Sequence, residues 1–150
     1  MKIEEEIKQP KFRSDFQKVT INLIFTANWI LNKQQDFFKS HGGITASQFN
    51  ILRILRGQHP NKISGVEIKS RMLDRNSDIP RLLDRLVKKN LILKTVCPSD
   101  KRAGDVIITD NGLAILHEID ELLDQKEKEQ LHLTKEEAAQ LSDLLDKSRG

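Results

Sequence analysis

A mainly α-helical fold carrying one small β-hairpin is predicted by three features of this sequence of 150 residues. Apolar residues recur at three-and-four spacing through most of the chain, the signature of amphipathic helices. Three segments, Thr45-Ala46-Ser47-Gln48, Ser64-Gly65-Val66-Glu67 and Thr134-Lys135-Glu136-Glu137, carry the hydroxyl-x-x-Glu/Gln pattern of a helix start. One pair of β-branched runs, Leu91 to Val96 and Val106 to Thr109, brackets a polar stretch rich in turn formers.

The elements follow in order. Residues 12–38 predict one long helix, with Phe12, Phe16, Val19, Leu23, Ile30 and Phe37 on one stripe and Ile24, Ala27 and Leu31 widening it. Pro10 stands before it, and His41-Gly42-Gly43 stops it. At 1.5 Å per residue it is roughly 40 Å long, more than a compact core of this size needs. Such a helix packs against a second long helix, in its own chain or a partner's. Thr45 opens a helix with Phe49, Ile51, Leu52, Ile54 and Leu55, closed by Gly57 and Pro60. Ser64 opens a short one with Val66, Ile68, Met72 and Leu73. The next begins near Asn76 or Ser77 and buries Ile79, Leu82, Leu83, Leu86 and Val87. Pro80 falls in its first turn, where a missing N–H does little harm. Asn90 ends it by taking the left-handed conformation that glycine usually fills.

The hairpin comes next, its long polar tip running from Pro98 to Asp105. Thr109 or Asp110 then caps a long helix with Leu113, Leu116, Ile119, Leu122 and Leu123. The final short helix carries Ala138, Leu141, Leu144 and Leu145.

Composition narrows the function. The net charge is only +3, but residues 69–102 hold ten basic and four acidic groups, whereas residues 110–150 hold five and eleven. A basic middle with an acidic tail is the asymmetry expected when one face meets a polyanion. The single Cys97 excludes an internal disulfide or a cysteine-based zinc finger. No apolar run approaches the roughly 18 residues of a membrane span, and the charged start lacks the apolar segment of a secretory signal. A reduced, soluble, cytoplasmic protein with no membrane association is expected. His41, His59, His117 and His132 lack metal-ligand spacing, so neither metal nor cofactor is expected. No enzyme motif is present, and the carboxylates of the tail suit a solvated helix face.

Helix, short helix, helix and hairpin across residues 45–109, with Asp74-Arg75-Asn76 joining the second and third helices, make a winged helix-turn-helix. The outer face of its third helix carries Ser77, Asp78, Arg81, Arg85 and Lys88. Its first turn supplies unpaired N–H groups and a positive dipole, both suited to phosphate. Arg75, Asn76 and Ser77 offer donors at the end that would enter a major groove, where Arg pairs with guanine and Asn with adenine. Lys101 and Arg102, in the hairpin tip, can reach phosphates or a narrow minor groove. The alternative reading of this unit is a winged-helix protein-interaction module without specific DNA binding; the basic stretch argues against it.

Three segments carry a resemblance. Asp78-Ile79-Pro80-Arg81-Leu82-Leu83-Asp84-Arg85-Leu86-Val87-Lys88-Lys89-Asn90-Leu91-Ile92 resembles the recognition helix and first wing strand of the multiple-antibiotic-resistance regulator (MarR) family. Asp100-Lys101-Arg102 is similar to that family's D-x-R wing motif, and Thr109-Asp110-Asn111-Gly112 to the start of the helix after the wing. The resemblance implies a homodimer in which the N-terminal helix and the last two helices interlock. It also implies that Arg102 enters the minor groove with Asp100 holding it, and that Ser77, Pro80 and Arg81 face DNA. Asp84 and Arg85 match a pair whose role is structural. Pro80 stands where many members carry a small hydroxyl residue, and Asn90 where glycine is usual.

The fold class expected is therefore a mainly α winged helix-turn-helix flanked by dimerisation helices. Residues 1–40 and 110–150 would dimerise through Phe12, Phe16, Val19, Leu23, Leu122, Leu141, Leu144 and Leu145. Residues 41–109 would bind double-stranded DNA through Arg75, Asn76, Ser77, Pro80, Arg81, Lys88, Lys101 and Arg102. The function expected is a homodimeric, sequence-specific transcriptional regulator, a repressor, on a pseudo-palindromic operator and released by a small effector. Phe25, Trp29 and Phe37, with Phe38, could line an effector pocket or simply pack in the long helix, as a helical stripe normally does. Cys97 follows Val96 and precedes Pro98, the place of a half-buried strand-end residue rather than of a redox sensor.

Overall fold

The computed structural model describes the backbone of residues 1–97 and 100–150 and the side chains of residues 1–95 and 104–150. Its elements are α1 (Ile3–Glu6), α2 (Asp15–Ser40), α3 (Ala46–Gln58), β1 (Ile63–Ser64), α4 (Gly65–Arg71), α5 (Ile79–Lys88), β2 (Ile92–Cys97), β3 (Asp100–Ile108), α6 (Asp110–Leu131) and α7 (Lys135–Arg149). Among the described residues no helix is long and apolar enough to cross a membrane.

The capping signals act largely as read. Thr45 and Thr134 each complete a reciprocal box, with Gln48 and Glu137. Ser64 makes only half of one. Its hydroxyl accepts the Glu67 N–H at 3.2 Å, while the Glu67 carboxylate turns to the Arg71 guanidinium one turn on. A cation at i+4 is a stronger partner for a carboxylate than a neutral N–H.

Several boundaries differ from expectation. Ser14 caps α2, so Phe12 lies ahead of the helix instead of in its stripe; it is half-buried, with the Lys18 ammonium 5.9 Å from its ring centre. Gly57 does not close α3 but sits inside its last turn. Helix α5 starts at Ile79, later than Asn76 or Ser77, because Asp78 takes the N-cap and accepts the Arg81 N–H at 3.3 Å. Its other end is as expected. Asn90 has φ +58°, its N–H donates to the Val87 carbonyl at 2.9 Å, and the Leu91 N–H donates to the Leu86 carbonyl at 3.1 Å. These two bonds form a Schellman closure.

The hairpin belongs to a three-stranded antiparallel sheet of order β1-β3-β2. The unexpected strand β1 places Ile63 opposite Val106 and Ser64 opposite Asp105. On the other edge Ile92 pairs with Ile108 and Thr95 with Asp105. Most of the stretch read as a polar tip is therefore strand. Residues 105 and 106 have partners on both sides, and that pairing overrides the turn preference of Gly104 and Asp105.

The core joins α3, α4, α5 and the sheet to the C-terminal end of α2 and the first half of α6. Phe38, Ile51, Leu52, Leu55, Ile68, Leu86, Ile92, Val106, Leu116 and Ile119 are all less than 2% exposed. Beyond this core the long helices are bare. Helix α2 buries only Phe37 and Phe38, and α7 buries none of its residues. Phe16, Val19, Leu23, Leu122, Leu141 and Leu144 are exposed, and Leu145 is half-buried. Helix α1 folds onto α2, with Ile3 buried and Glu4 paired to Lys18.

The start of α6 is locked to the end of α5. The Thr109 hydroxyl accepts the Gly112 N–H at 3.1 Å and donates to the Asn90 carbonyl at 2.8 Å. The Thr109 N–H donates to the Leu91 carbonyl at 3.1 Å. A Cβ on Gly112 would lie 2.4 Å from the Leu91 oxygen and 2.6 Å from Ile108 Cγ1. Gly112→Ala is expected to lower stability in urea unfolding by about 1–3 kcal/mol, the cost of overpacking a rigid contact. An unchanged midpoint would mean that α6 shifts to make room at no cost.

Candidate nucleic-acid interface

Helix α5 sorts its side chains by period. Ile79, Leu83 and Leu86 are buried in the core and Leu82 is partly buried, while Pro80, Arg81, Asp84, Arg85 and Lys88 are exposed. Arg75 and Asn76 are also exposed, but in the turn before α5 rather than on it. Among the described residues none of Arg75, Arg81, Arg85 and Lys88 forms an ion pair. Asp84 and Arg85, matched to a structural pair by resemblance, both face solvent and do not pair with each other.

Two expectations at the N-terminal end need correction. The Ser77 hydroxyl is buried and has no hydrogen-bond partner, so it is not presented as a donor. Nor does the first turn hold a set of free N–H groups. The Arg81 N–H is bound by the Asp78 side chain and the Leu82 N–H by the Asp78 carbonyl, and Pro80 has none. The Asp78 carboxylate also offsets the positive end of the helix dipole. Attraction for an anion at this surface rests on side-chain cations.

The turn itself is wired by side chains. The Asn76 N–H donates to Asp74 Oδ1 at 2.9 Å, and the Ser77 N–H donates to the Asp74 carbonyl at 3.3 Å. The Leu73 N–H donates to Asn50 Oδ1 at 2.9 Å. Asn50 is a buried polar residue of α3 that the apolar reading of that helix passed over. Its signal was a polar side chain within an otherwise apolar run.

At the other end, α5 passes into the sheet within four residues. The Lys89 ammonium donates to the Gly43 carbonyl, tying this end to the bend between α2 and α3. Ser64 serves two elements, capping α4 and pairing with Asp105 of β3. Strand β3 carries Asp100, Lys101 and Arg102 alongside the helix-turn-helix. The side chains of these residues, and that of Cys97, lie outside the described ones. The Arg56 guanidinium pairs with the Asp120 carboxylate, bridging α3 to α6.

Three helices, the last two joined by a capped turn and the last carrying an outward cationic face, together with a three-stranded wing define a winged helix-turn-helix protein. The family model described as MarR family matches residues 44–103. The chain is 36% identical over 106 residues to the multiple antibiotic resistance protein MarR of Escherichia coli (strain K12), an alignment covering 69% of this chain and 72% of that protein. A MarR transcription factor from Planctomyces limnophilus has a similar structure, with a TM-score of 0.70 and 32% identity over 91% of this chain and 98% of that one. So does a mutant MarR from E. coli complexed with operator DNA, with a TM-score of 0.68 and 31% identity over 90% of this chain and 99% of that one. The chain belongs to the MarR family, and as a member it is a transcription regulator rather than an enzyme.

The three aromatics expected to share one pocket do not. Phe25 and Trp29 line a cavity of about 300 Å³ with Met1, Ile3 and Glu6, under the N-terminal segment. Phe37 lines a separate cavity of about 70 Å³ with Ile30, Leu123, Lys126 and Glu127. Twelve residues separate Phe25 from Phe37, which is about a third of a turn around an α-helix. The Phe37 ring is stacked on His41 at 4.5 Å between centres, and the Lys126 ammonium lies 4.3 Å from its centre.

Partial desolvation raises the carboxyl of Glu127, an otherwise exposed residue, above its usual range; Arg53 opposes the shift and Asp124 adds to it. A carboxyl with a raised folded-state pKa costs stability once it is ionised, and the cost develops as pH rises from the unfolded pKa through the folded one. Glu127→Gln is therefore expected to raise the thermal midpoint at pH 7. The gain should shrink to nothing as pH falls below the ordinary carboxylate range. A gain that persists unchanged in acid would assign the effect to packing instead of ionisation.

Proposed function

We propose that the chain is a homodimeric, sequence-specific DNA-binding repressor acting on a pseudo-palindromic operator. The observation that carries this reading is the outer face of α5, where Arg81, Arg85 and Lys88 stand exposed without ion-pair partners among the described residues. A helix anchored by Ile79, Leu83 and Leu86 on its inner face presents those cations as a rigid row. Arg75, Asn76 and Pro80 extend the row at the groove-entering end. As the resemblance implies, Lys101 and Arg102 of the wing would add DNA contacts, with Asp100 holding Arg102. The operator complex of the similar E. coli protein supports a DNA partner.

Residues 1–40 and 110–150 dimerise, and residues 41–109 meet DNA. The bare apolar side chains of α2 and α7 support a second copy as their cover: Phe16, Val19, Leu23, Leu141 and Leu144 are exposed in the single chain. Two recognition helices related by a two-fold axis enter successive major grooves about 34 Å apart. Occupying a promoter represses it. A small effector releases DNA by binding more tightly to a dimer whose winged units are wrongly spaced, since only differential affinity shifts such an equilibrium. The protein works in the cytoplasm.

Fluorescence anisotropy with the duplex upstream of its own gene, against a scrambled duplex, tests the DNA reading. Binding should favour the native duplex and weaken by about 10³–10⁵ between roughly 50 and 200 mM salt, as 6–10 phosphate contacts require. Arg81→Ala should cost about 1–3 kcal/mol and relax preference at one base position. Equal, weak binding to both duplexes, followed by failure of an unbiased sequence selection, would overturn the reading in favour of a protein-interaction module.

Leu23→Asp tests the assembly. By sedimentation and anisotropy together, the variant should lose the dimer and operator binding in step. A stable monomer that still binds the full operator would refute the interlocked-helix arrangement.

A further inference from the structure

We propose that Asn50 is a positioning residue for DNA recognition, its side-chain carbonyl setting the turn that carries Arg75 and Asn76 into the interface. The inference rests on the reading of that turn and α5 as the DNA-contacting surface. Asn50 sits in α3, 8% exposed, and touches no residue of the outer face of α5 through a hydrogen bond. Its Oδ1 accepts the Leu73 N–H at 2.9 Å. Helix α4 has already closed one residue earlier, where the Met72 N–H donates to the Lys69 carbonyl. Packing does not hold Leu73, because the residue is 84% exposed.

The remaining bonds of the turn are internal. Asp74 binds the Asn76 and Ser77 N–H groups, and the Ser77 hydroxyl has no partner. Among the described residues, the bond from Leu73 to Asn50 is the one hydrogen bond that joins residues 73–77 to another element. The apolar contacts of Ile79, Leu83 and Leu86 fix the axis and rotation of α5, but they do not reach back to Arg75 and Asn76. Without the Asn50 acceptor, the Leu73 N–H turns to water and the turn samples other arrangements. Operator affinity then falls by the fraction of molecules holding the binding-competent one. General attraction to phosphate does not, because the cations of α5 stay where they are.

The test uses the full chain in two variants. Asn50→Leu keeps the branched shape, slightly enlarged, and removes the acceptor. Asn50→Asp keeps an acceptor oxygen, with Arg53 one turn on to balance its charge. In Asn50→Leu, affinity for the operator should fall roughly ten-fold, the population shift expected when one hydrogen bond holding the turn is exchanged for water. Affinity for the scrambled duplex and the salt slope should hold, and amide exchange at Leu73 should accelerate. Asn50→Asp should restore both operator preference and slow exchange. Wild-type operator preference in Asn50→Leu would overturn the proposal, and so would a loss in both variants that simply follows their thermal midpoints. If the wild-type chain prefers no duplex after unbiased selection, the DNA reading fails and the positioning role fails with it, even where exchange at Leu73 still follows Asn50.

Discussion

The carbonyl oxygen of Leu91 governs how the two halves of the molecule sit, because chain segments converge on it with no room for a methyl group. The first residue past β3 donates to it at 3.1 Å, and a Cβ at position 112 would stand 2.4 Å away. The Leu91 N–H in turn closes α5 by donating to the Leu86 carbonyl. The end of α5, the start of β2, the end of β3 and the first turn of α6 are thereby gathered within one peptide's reach. Interiors are packed too closely to yield by small amounts. Helix α6 therefore cannot swing independently of α5: a movement of one carries the other. The Arg56–Asp120 pair adds a second tie between α6 and the same core.

Charge is used in two different ways on the surface. Some cations away from α5 are matched locally, as in Lys18 with Glu4, Arg71 with Glu67, Lys128 with Asp124 and Arg149 with Asp146, and others stand alone; what sets α5 apart is that its cations share one rigid face. Exposed pairs of this kind contribute about 0–1 kcal/mol each, so the cations of α5 sacrifice little stability by standing alone. What they retain is a concentrated positive field on a rigid helix. The Asp78 cap sharpens that division, since it satisfies the backbone at the helix start and leaves side chains to attract a polyanion.

Features set by spacing and by local chemistry were legible in the sequence. Thr45, Thr134 and Asn90 each act within one helical turn of themselves, and each does what its residue type implies. The outward row of Arg81, Arg85 and Lys88 needed only the period of α5. Features set by distant partners were not legible. Strand β1 has two residues and no alternation to detect, and it exists because β3 offers it an edge. The length of β3 was hidden for the same reason, its Asp105 and Val106 being held extended by neighbours on both sides. The half-formed box at Ser64 depended on a competing arginine. Ser77 looked like a donor by type, but its hydroxyl turns inward. Asn50 stood out as a polar residue in an apolar run, but nothing local named the backbone N–H 23 residues on that it serves. Phe25, Trp29 and Phe37 were grouped by chemistry and parted by helix geometry.

Helix α7 has 15 residues and buries none of them within its own chain. A helix of that length is marginal in water when nothing packs on it, even with a complete capping box. On the dimer proposed above, its order is a collective property, set by how many copies of the chain share a given volume. Dilution would loosen the C-terminal end before it disturbed the winged core, which owes nothing to a neighbour. A cell making little of this protein would then hold chains with an intact reading head and a frayed tail, so the amount of protein itself would grade how much of it is fully formed.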